Sequence, residues 1–321
     1  MSEPEPAPLI DEAELRGLVA SFRKKRKAIE KKYFLFLVFG FVFLGLSATF
    51  LIVPFRLFTG EESGRLFEAF AYLSLGLLLV SFIFFGSAIT VKEGYVNSIK
   101  KQIGERVEKV YYRHPSHGDK SGFTYDEFVA SGFFPEPEKY QDTDGYEASY
   151  LGIGFQKARF RLQRLSLVSS TRDALKSYST YRIGTLYRFR FSKKLPFSVK
   201  ILFKNRRVGY VNDKTLTAIQ TEYEAFNNVF EISSSDNQGA FYLLTPQVQE
   251  KLIDLENLFY GAVSFSLSGD SFYVLIDDPD EKIDISFLRE ISEDDVKKIF
   301  VLASLPKIVV DYLDLDSFKF R

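Results

Sequence analysis

The sequence predicts an α+β protein: an N-terminal two-helix transmembrane hairpin followed by a mixed, largely antiparallel α+β cytoplasmic domain. Three observations carry this. Two 23-residue stretches, Tyr33–Phe55 and Ala69–Val91, contain no charged residue. Downstream, several short stretches alternate apolar and polar residues with period two. Those stretches are joined by turns or interleaved with short helical patterns, without the long crossovers of βαβ units.

The two uncharged stretches come first. A helix needs roughly 20 apolar residues to cross a bilayer core, and each stretch is long enough. Lys31, Lys32 and Arg56 bracket the first, and Glu68 and Lys92 the second. The ordinary alternative is a pair of buried core helices, which rarely lack charge over such a length. A cleaved signal peptide is excluded by the long, charged leader and by the length of the first stretch. Lys and Arg number eight in residues 13–32, two in the connector 56–68 and five in residues 92–111. Cations stay on the cytoplasmic side, so both termini are expected in the cytoplasm and the connector outside. Gly45/Thr49 and Gly86/Thr90 have the spacing of close helix contacts.

This divides the chain into a cytoplasmic arm at 1–32, a hairpin at 33–91 and a cytoplasmic domain at 92–321. In the arm, Leu15, Leu18, Val19, Phe22 and Ile29 follow at helical intervals after Asp11 and Glu14. The arm therefore reads as an amphipathic helix running into the first span. Arg23, Lys24, Lys25, Arg26 and Lys27 would meet anionic lipid headgroups. The plainer reading of that block is a topology signal alone.

The cytoplasmic part opens with a helix over 92–112, with Val96, Ile99, Ile103, Val107 and Val110 on one face. A loop at 114–122 and a short helix at 125–131 follow, and Asp142–Gly145 signals a turn. Strands are expected at Arg159–Gln163, Tyr187–Phe191 and Phe197–Phe203, the last two forming a hairpin across Lys193–Pro196. A helix at about 214–228, a strand at Val229–Ser233 and a strand at Ala240–Leu244 follow. Thr245-Pro246 starts a helix whose buried stripe is Val248, Leu252, Leu255 and Phe259. Val263–Leu267 and Phe272–Ile276 form a second hairpin through Gly269-Asp270. Ser292 with Asp295 caps a last helix, broken by Pro306.

The runs Tyr223–Ile232, Ala240–Pro246, Ser264–Leu267 and Phe272–Ile276 carry a resemblance. Over roughly residues 95–315 the chain resembles a family of uncharacterised bacterial membrane proteins with two N-terminal membrane helices and a domain of unknown function. The resemblance implies a bacterial cytoplasmic (inner) membrane. It carries over no catalytic residue.

The chemistry of the sequence is mostly a matter of what is missing. Without Cys there is no disulfide, thiol nucleophile or Cys-ligated metal. The only His residues, His114 and His117, flank Pro115 in what reads as a solvated loop. No phosphate-binding glycine loop, nucleophile elbow or HExxH motif is present, so no cofactor is expected and the reading leans away from an enzyme. Asp277, Asp278, Asp280, Glu281 and Asp284 form an acidic run that reads first as a solvated loop and second as a divalent-cation site.

Charge segregation is the strongest functional signal. Residues 148–211 hold 15 Lys and Arg against one acid, Asp173, while residues 212–321 hold 9 against 21. Internal neutralisation is the bland explanation. The functional one is a basic sheet face made of Arg188, Arg190, Lys193, Lys194, Lys200, Lys204, Arg206 and Arg207. Three hypotheses follow. The domain is a membrane-anchored binding or scaffold module for anionic lipid or an acidic protein. Less favoured, it binds nucleotides or nucleic acid, with exposed Tyr as stacking platforms. Last, it is a metal-dependent enzyme on a phosphorylated substrate, using the acidic run.

Overall fold

The computed structural model describes residues 10–57, 64–118, 121–168, 175–204, 215–259, 263–277 and 289–316. The chain forms two compact units, residues 1–104 with 285–300 and residues 105–284 with 301–321.

The first unit is built on two long helices. α1 (Glu12–Leu57) runs for 46 residues and passes unbroken from a charged segment into an apolar one, and α2 (Gly64–Tyr111) runs for 48 and passes unbroken from an apolar segment into a charged one. Both are long and apolar enough to cross a membrane, and only 11% and 17% of their most apolar stretches are buried. That separates them from core helices, which are mostly covered.

The two helices meet through small residues and aromatic rings. Ser47 and Ser74 each donate a hydrogen bond to the other's carbonyl, at 2.8 and 2.9 Å. Ser81 Oγ donates to the Gly40 carbonyl at 2.9 Å, and a Cβ on Gly40 would come within 2.8 Å of the Phe85 ring. Phe84 stacks on Phe43 at 5.5 Å. The expected contacts at Gly45 and Gly86 do not form. Both have open space around them, and Thr49 and Thr90 bond the Gly45 and Gly86 carbonyls of their own helices.

The charged ends follow the apolar stripes. Leu15, Val19 and Phe22 of α1 and Ile99 and Ile103 of α2 are buried, and Tyr95 Oη donates to the Phe22 carbonyl at 3.1 Å. Val110, expected on the same stripe, is 66% exposed. At residue 293 α7 (Glu293–Ala303) starts on the expected reciprocal cap: Ser292 N–H donates to Asp295 and Asp295 N–H to Ser292 Oγ.

The second unit is a nine-stranded sheet among the described residues, with every pairing antiparallel. The strands are β1 (Arg113–His117), β2 (Lys139–Tyr150), β3 (Ile153–Val168), β4 (Leu175–Arg190), β5 (Val199–Phe203), β6 (Thr217–Ile219), β7 (Phe230–Ser234), β8 (Val263–Ser268) and β9 (Ser271–Asp277). Their order is β1-β2-β3-β4-β9-β8-β5-β7-β6. The α+β class is therefore as the sequence predicts.

Both sheet faces are covered. On one face Phe155, Phe189, Phe265, Phe272 and Val274 lie in one core with Phe226 of α4 (Glu224–Val229), Ala240 of α5 (Asn237–Leu243), Leu252 and Leu255 of α6 (Pro246–Leu258) and Val309 of α8 (Leu305–Tyr312). On the other face Ala158, Phe160, Leu162 and Leu186 lie in a second core with Phe123, Phe128, Phe133 and Phe134. The last four come from α3 (Tyr125–Ala130) and its flanks.

Several expectations are corrected. Tyr187–Phe191 and Phe197–Phe203 form no hairpin: the β8–β9 hairpin lies between β4 and β5 in the sheet. The intervening chain skirts the tip of that hairpin, with Phe191 N–H donating to Asp270 O and Leu195 N–H to Gly269 O, both at 2.7 Å. Ala240–Leu243 is helical and Leu244 is the C-cap, because Asp236 caps α5 through Gln238 N–H and the helix buries Ala240 and Leu243. Residues 114–117 form an edge strand, where Pro115 needs no ladder donor. Asp142–Gly145 lies within β2 at a bulge, not at a turn. There a Cβ on Gly145 would lie 2.5 Å from the Gly122 backbone nitrogen. Of the helix expected at 214–228, residues 217–219 are a strand and only Glu224–Val229 is helical.

Candidate functional site

The basic region divides into a buried row and an exposed fringe. Registers place Gln156, Arg188, Tyr273, Ser266 and Lys200 in one cross-strand row on the face covered by α3 and its flanks. Arg188 and Lys200 are therefore 7% and 6% exposed, although alternation alone suggested a wet face. Arg188 donates to Glu127 Oε1 at 2.8 Å and to Gln156 Oε1 at 2.5 Å, and its guanidinium lies 5.6 Å from the Phe123 ring. Its Nε is buried without a partner among the described residues. The Lys200 side chain runs close to Gly132, whose φ of +73° and missing Cβ leave it room. Lys204 donates to the Asn227 carbonyl.

Glu127 ties α3 to this row. It closes a capping box with Thr124, accepting from Thr124 N–H at 3.0 Å. Burial alone would raise its carboxyl, but the Thr124 N–H and the Arg188 guanidinium outweigh that and hold it below the usual 4.5. A depressed carboxylate adds stability that is fully present above the unfolded value and is lost as pH falls through the folded one. Glu127→Gln is expected to cost about 2 kcal/mol at neutral pH, the worth of a charge-assisted bond. Its melting temperature should also fall less steeply than wild type below about pH 4.5. A pH profile parallel to wild type would remove Glu127 as the titrating group.

The exposed fringe comprises Arg190, Lys193 and Lys194, at and just beyond the end of β4. Arg190 is half exposed and 3.8 Å from Glu127. Arg206 and Arg207 lie outside the described residues. Further along the β3–β4 ribbon, Arg161 and Arg164 are exposed, with Tyr178 and Tyr181. The Arg164 guanidinium lies 5.2 Å from the Tyr181 ring, and the Lys139 ammonium 4.8 Å from Tyr178. Sequence reading did not single out these tyrosines. The signal was Tyr178-Ser-Thr-Tyr181 opposite an arginine-rich strand.

The arm's cations are partly engaged. Arg23 Nε donates to the Ile291 carbonyl at 3.3 Å and lies 3.6 Å from Glu290. Arg26 is buried beside Glu30, and Lys25 donates to Gln102 at 2.9 Å. Lys24 and Lys27 are exposed and line an open cleft of about 480 Å³ with Arg16, Arg23 and Glu293.

The metal candidates hold other partners. Asp277 accepts from Arg182 Nε at 2.9 Å in a buried pair, while residues 278–288, with the rest of the acidic run, lie outside the described residues. His117 Nε2 is 3.1 Å from Glu108. No group of three or more metal-ligating side chains converges among the described residues.

Residues 183–315 match a family described as protein of unknown function (DUF3137). The match begins inside β4 and takes in β5–β9 and α4–α8. No curated protein matches the chain. Among solved structures, the crystal structure of the mycobacterial trehalose monomycolate transport factor A, TtfA, aligns at a TM-score of 0.31 with 8% identity, covering 64% of this chain and 95% of that one. A likeness of that size is too slight to bear on fold or function.

Proposed function

We propose that this chain is a multi-pass protein of a bacterial cytoplasmic membrane, with both termini in the cytoplasm, and that its α+β domain is a non-catalytic binding or scaffold module for an anionic partner. The observation that carries this is the apolar, uncovered outer surface of α1 and α2. Phe41, Leu51, Leu79, Phe82 and Ile83 are among many large side chains there more than half exposed. In water so large an apolar surface is an aggregation liability, and in lipid it is the required solvent contact. The lopsided Lys and Arg count supports the orientation.

On this reading residues 12–32 and 92–111 continue the spans as a helical stalk. At 1.5 Å per residue, Lys27 lies about 9 Å before Tyr33 along the helix, and Lys24 about 14 Å. Lys27, Lys31 and Lys32 would then meet anionic headgroups, while Arg23 and Lys24 stand about a Debye length away.

For the domain, Arg190, Lys193 and Lys194 are the exposed part of the basic face among the described residues, and Arg161 and Arg164 with Tyr178 and Tyr181 extend it. Tyr and Arg are the side chains that anchor protein interfaces, and the charge selects an acidic partner. A pull-down from native membranes tests this. Changing Arg190, Lys193 and Lys194 together to Ser should lose an acidic protein partner that wild type retains, with the loss mimicked by raised salt. Recovery of the same proteins by both chains would dismiss the basic face. Recovery of nucleic acid by wild type alone would favour the nucleic-acid reading.

A further inference from the structure

The cavity that no reading above uses lies within the second unit, between the sheet and α6. Its floor is Ile201 on β5, Leu267 on β8 and Phe272 on β9, with Leu267 and Phe272 directly opposed across the ladder. Val248 and Leu252, on one face of α6, form the opposite wall. The space is about 350 Å³. Protein interiors are otherwise close-packed, and a void of this size falls within the range of small-molecule sites.

Charged groups stand at the rim. Lys251, Asp314 and Asp316 line it, and Lys251 Nζ is 3.1 Å from Asp314 Oδ2. The Lys251 ammonium also lies 5.7 Å from the Tyr312 ring. Asp314 holds φ at 52°, a left-handed backbone that a short polar side chain tolerates.

We propose that this slot binds the hydrocarbon tail of a single-chain amphiphile whose head is cationic or zwitterionic. The floor residues lie on strands whose backbone groups serve the sheet ladder. A peptide backbone entering the slot would leave its own polar groups unpaired, whereas a polymethylene tail has none to satisfy. Two carboxylates against one ammonium give the rim a net negative charge, so an ammonium head is matched and a lone carboxylate head is repelled. The proposal names a ligand of the domain and does not depend on the spans.

Photolabelling of the full chain in phosphatidylcholine nanodiscs tests it. The probes are diazirine-bearing sphingosine, with an amine head, and diazirine-bearing palmitate, with a carboxylate head. Peptides covering 243–252 and 313–316 should be labelled by the amine probe several-fold more than by palmitate. Leu252→Trp, which fills the slot, should lose that label while labelling of residues 33–55 and 69–91 persists. Asp314→Lys with Asp316→Lys, at the exposed rim, should reverse the preference between probes. Equal labelling of the slot peptides in wild type and Leu252→Trp overturns the tail site. An unreversed preference overturns the head assignment. Loss of label from the spans, with slot labelling intact, would count against the membrane reading and leave the slot standing.

Discussion

Asp277→Ala should destabilise the sheet unit by about 3–5 kcal/mol, the usual cost of stripping one partner from a buried ion pair. Arg182 and Asp277 lie on neighbouring strands, β4 and β9, near the register pair Gly184–Asp277. Their side chains are 11% and 3% exposed, and the fork of the guanidinium meets both carboxylate oxygens, at 2.9 and 2.5 Å. The Arg182 guanidinium also lies 5.3 Å from the Phe134 ring. Removing the carboxylate takes two charge-assisted bonds from a largely buried cation. Removing both charges is a different experiment. Arg182→Met with Asp277→Leu keeps apolar volume and should recover most of the loss, because the pair's attraction largely offsets its own desolvation. Urea unfolding of the three chains in micelles, with hydrogen exchange read at β4 and β9, measures this. If the double variant is as unstable as Asp277→Ala, shape and not charge governs the site.

That pair shows what the sequence could and could not disclose. Asp277 was visible only as the first of an acidic run, and Arg182 as one of many cations. Their meeting depends on β4 pairing with β9 some 90 residues later, which no local pattern encodes. Alternation told which residues share a face of β4 and β5 and was right about Phe189 and Ile201. It did not tell what covers the other face. Arg188 and Lys200 looked wet because alternate polar residues usually are, yet Phe123, Phe128, Phe133 and Phe134 are packed over that face. The hairpin expected through Lys193–Pro196 does not form for a related reason: turn-like residues between successive strands do not fix which strands pair, and β8 and β9 supply the ladder. Where local chemistry decides, the reading held. Ser292 and Asp295 cap a helix through their own side chains, and Gly269-Asp270 turns a two-stranded hairpin.

The other large effect concerns the long helices. Val42→Arg with Leu79→Arg should abolish stable membrane insertion, at a cost of about 3 kcal/mol for each arginine near a bilayer centre. Val42 and Leu79 are 50% and 57% exposed and sit near the middle of the uncharged stretches. Phe241 on α5 is a control of similar character, at 47% exposed. Phe241→Arg should change stability by less than about 0.5 kcal/mol, since an arginine there stays in water. The same exposed apolar surface thus gives opposite answers in the two solvents, which is what makes the comparison decisive. Alkaline extraction of membranes reads insertion directly. Orientation is read in the same cells, because the native chain has no Cys to interfere. A single thiol at Ser63→Cys should react with an impermeant maleimide in intact cells, and one at Gln238→Cys only after the membrane is opened. If the arginine pair extracts no more readily than Phe241→Arg, lipid does not surround these helices. Reaction of Gln238→Cys from outside would reverse the topology that the flanking cations imply.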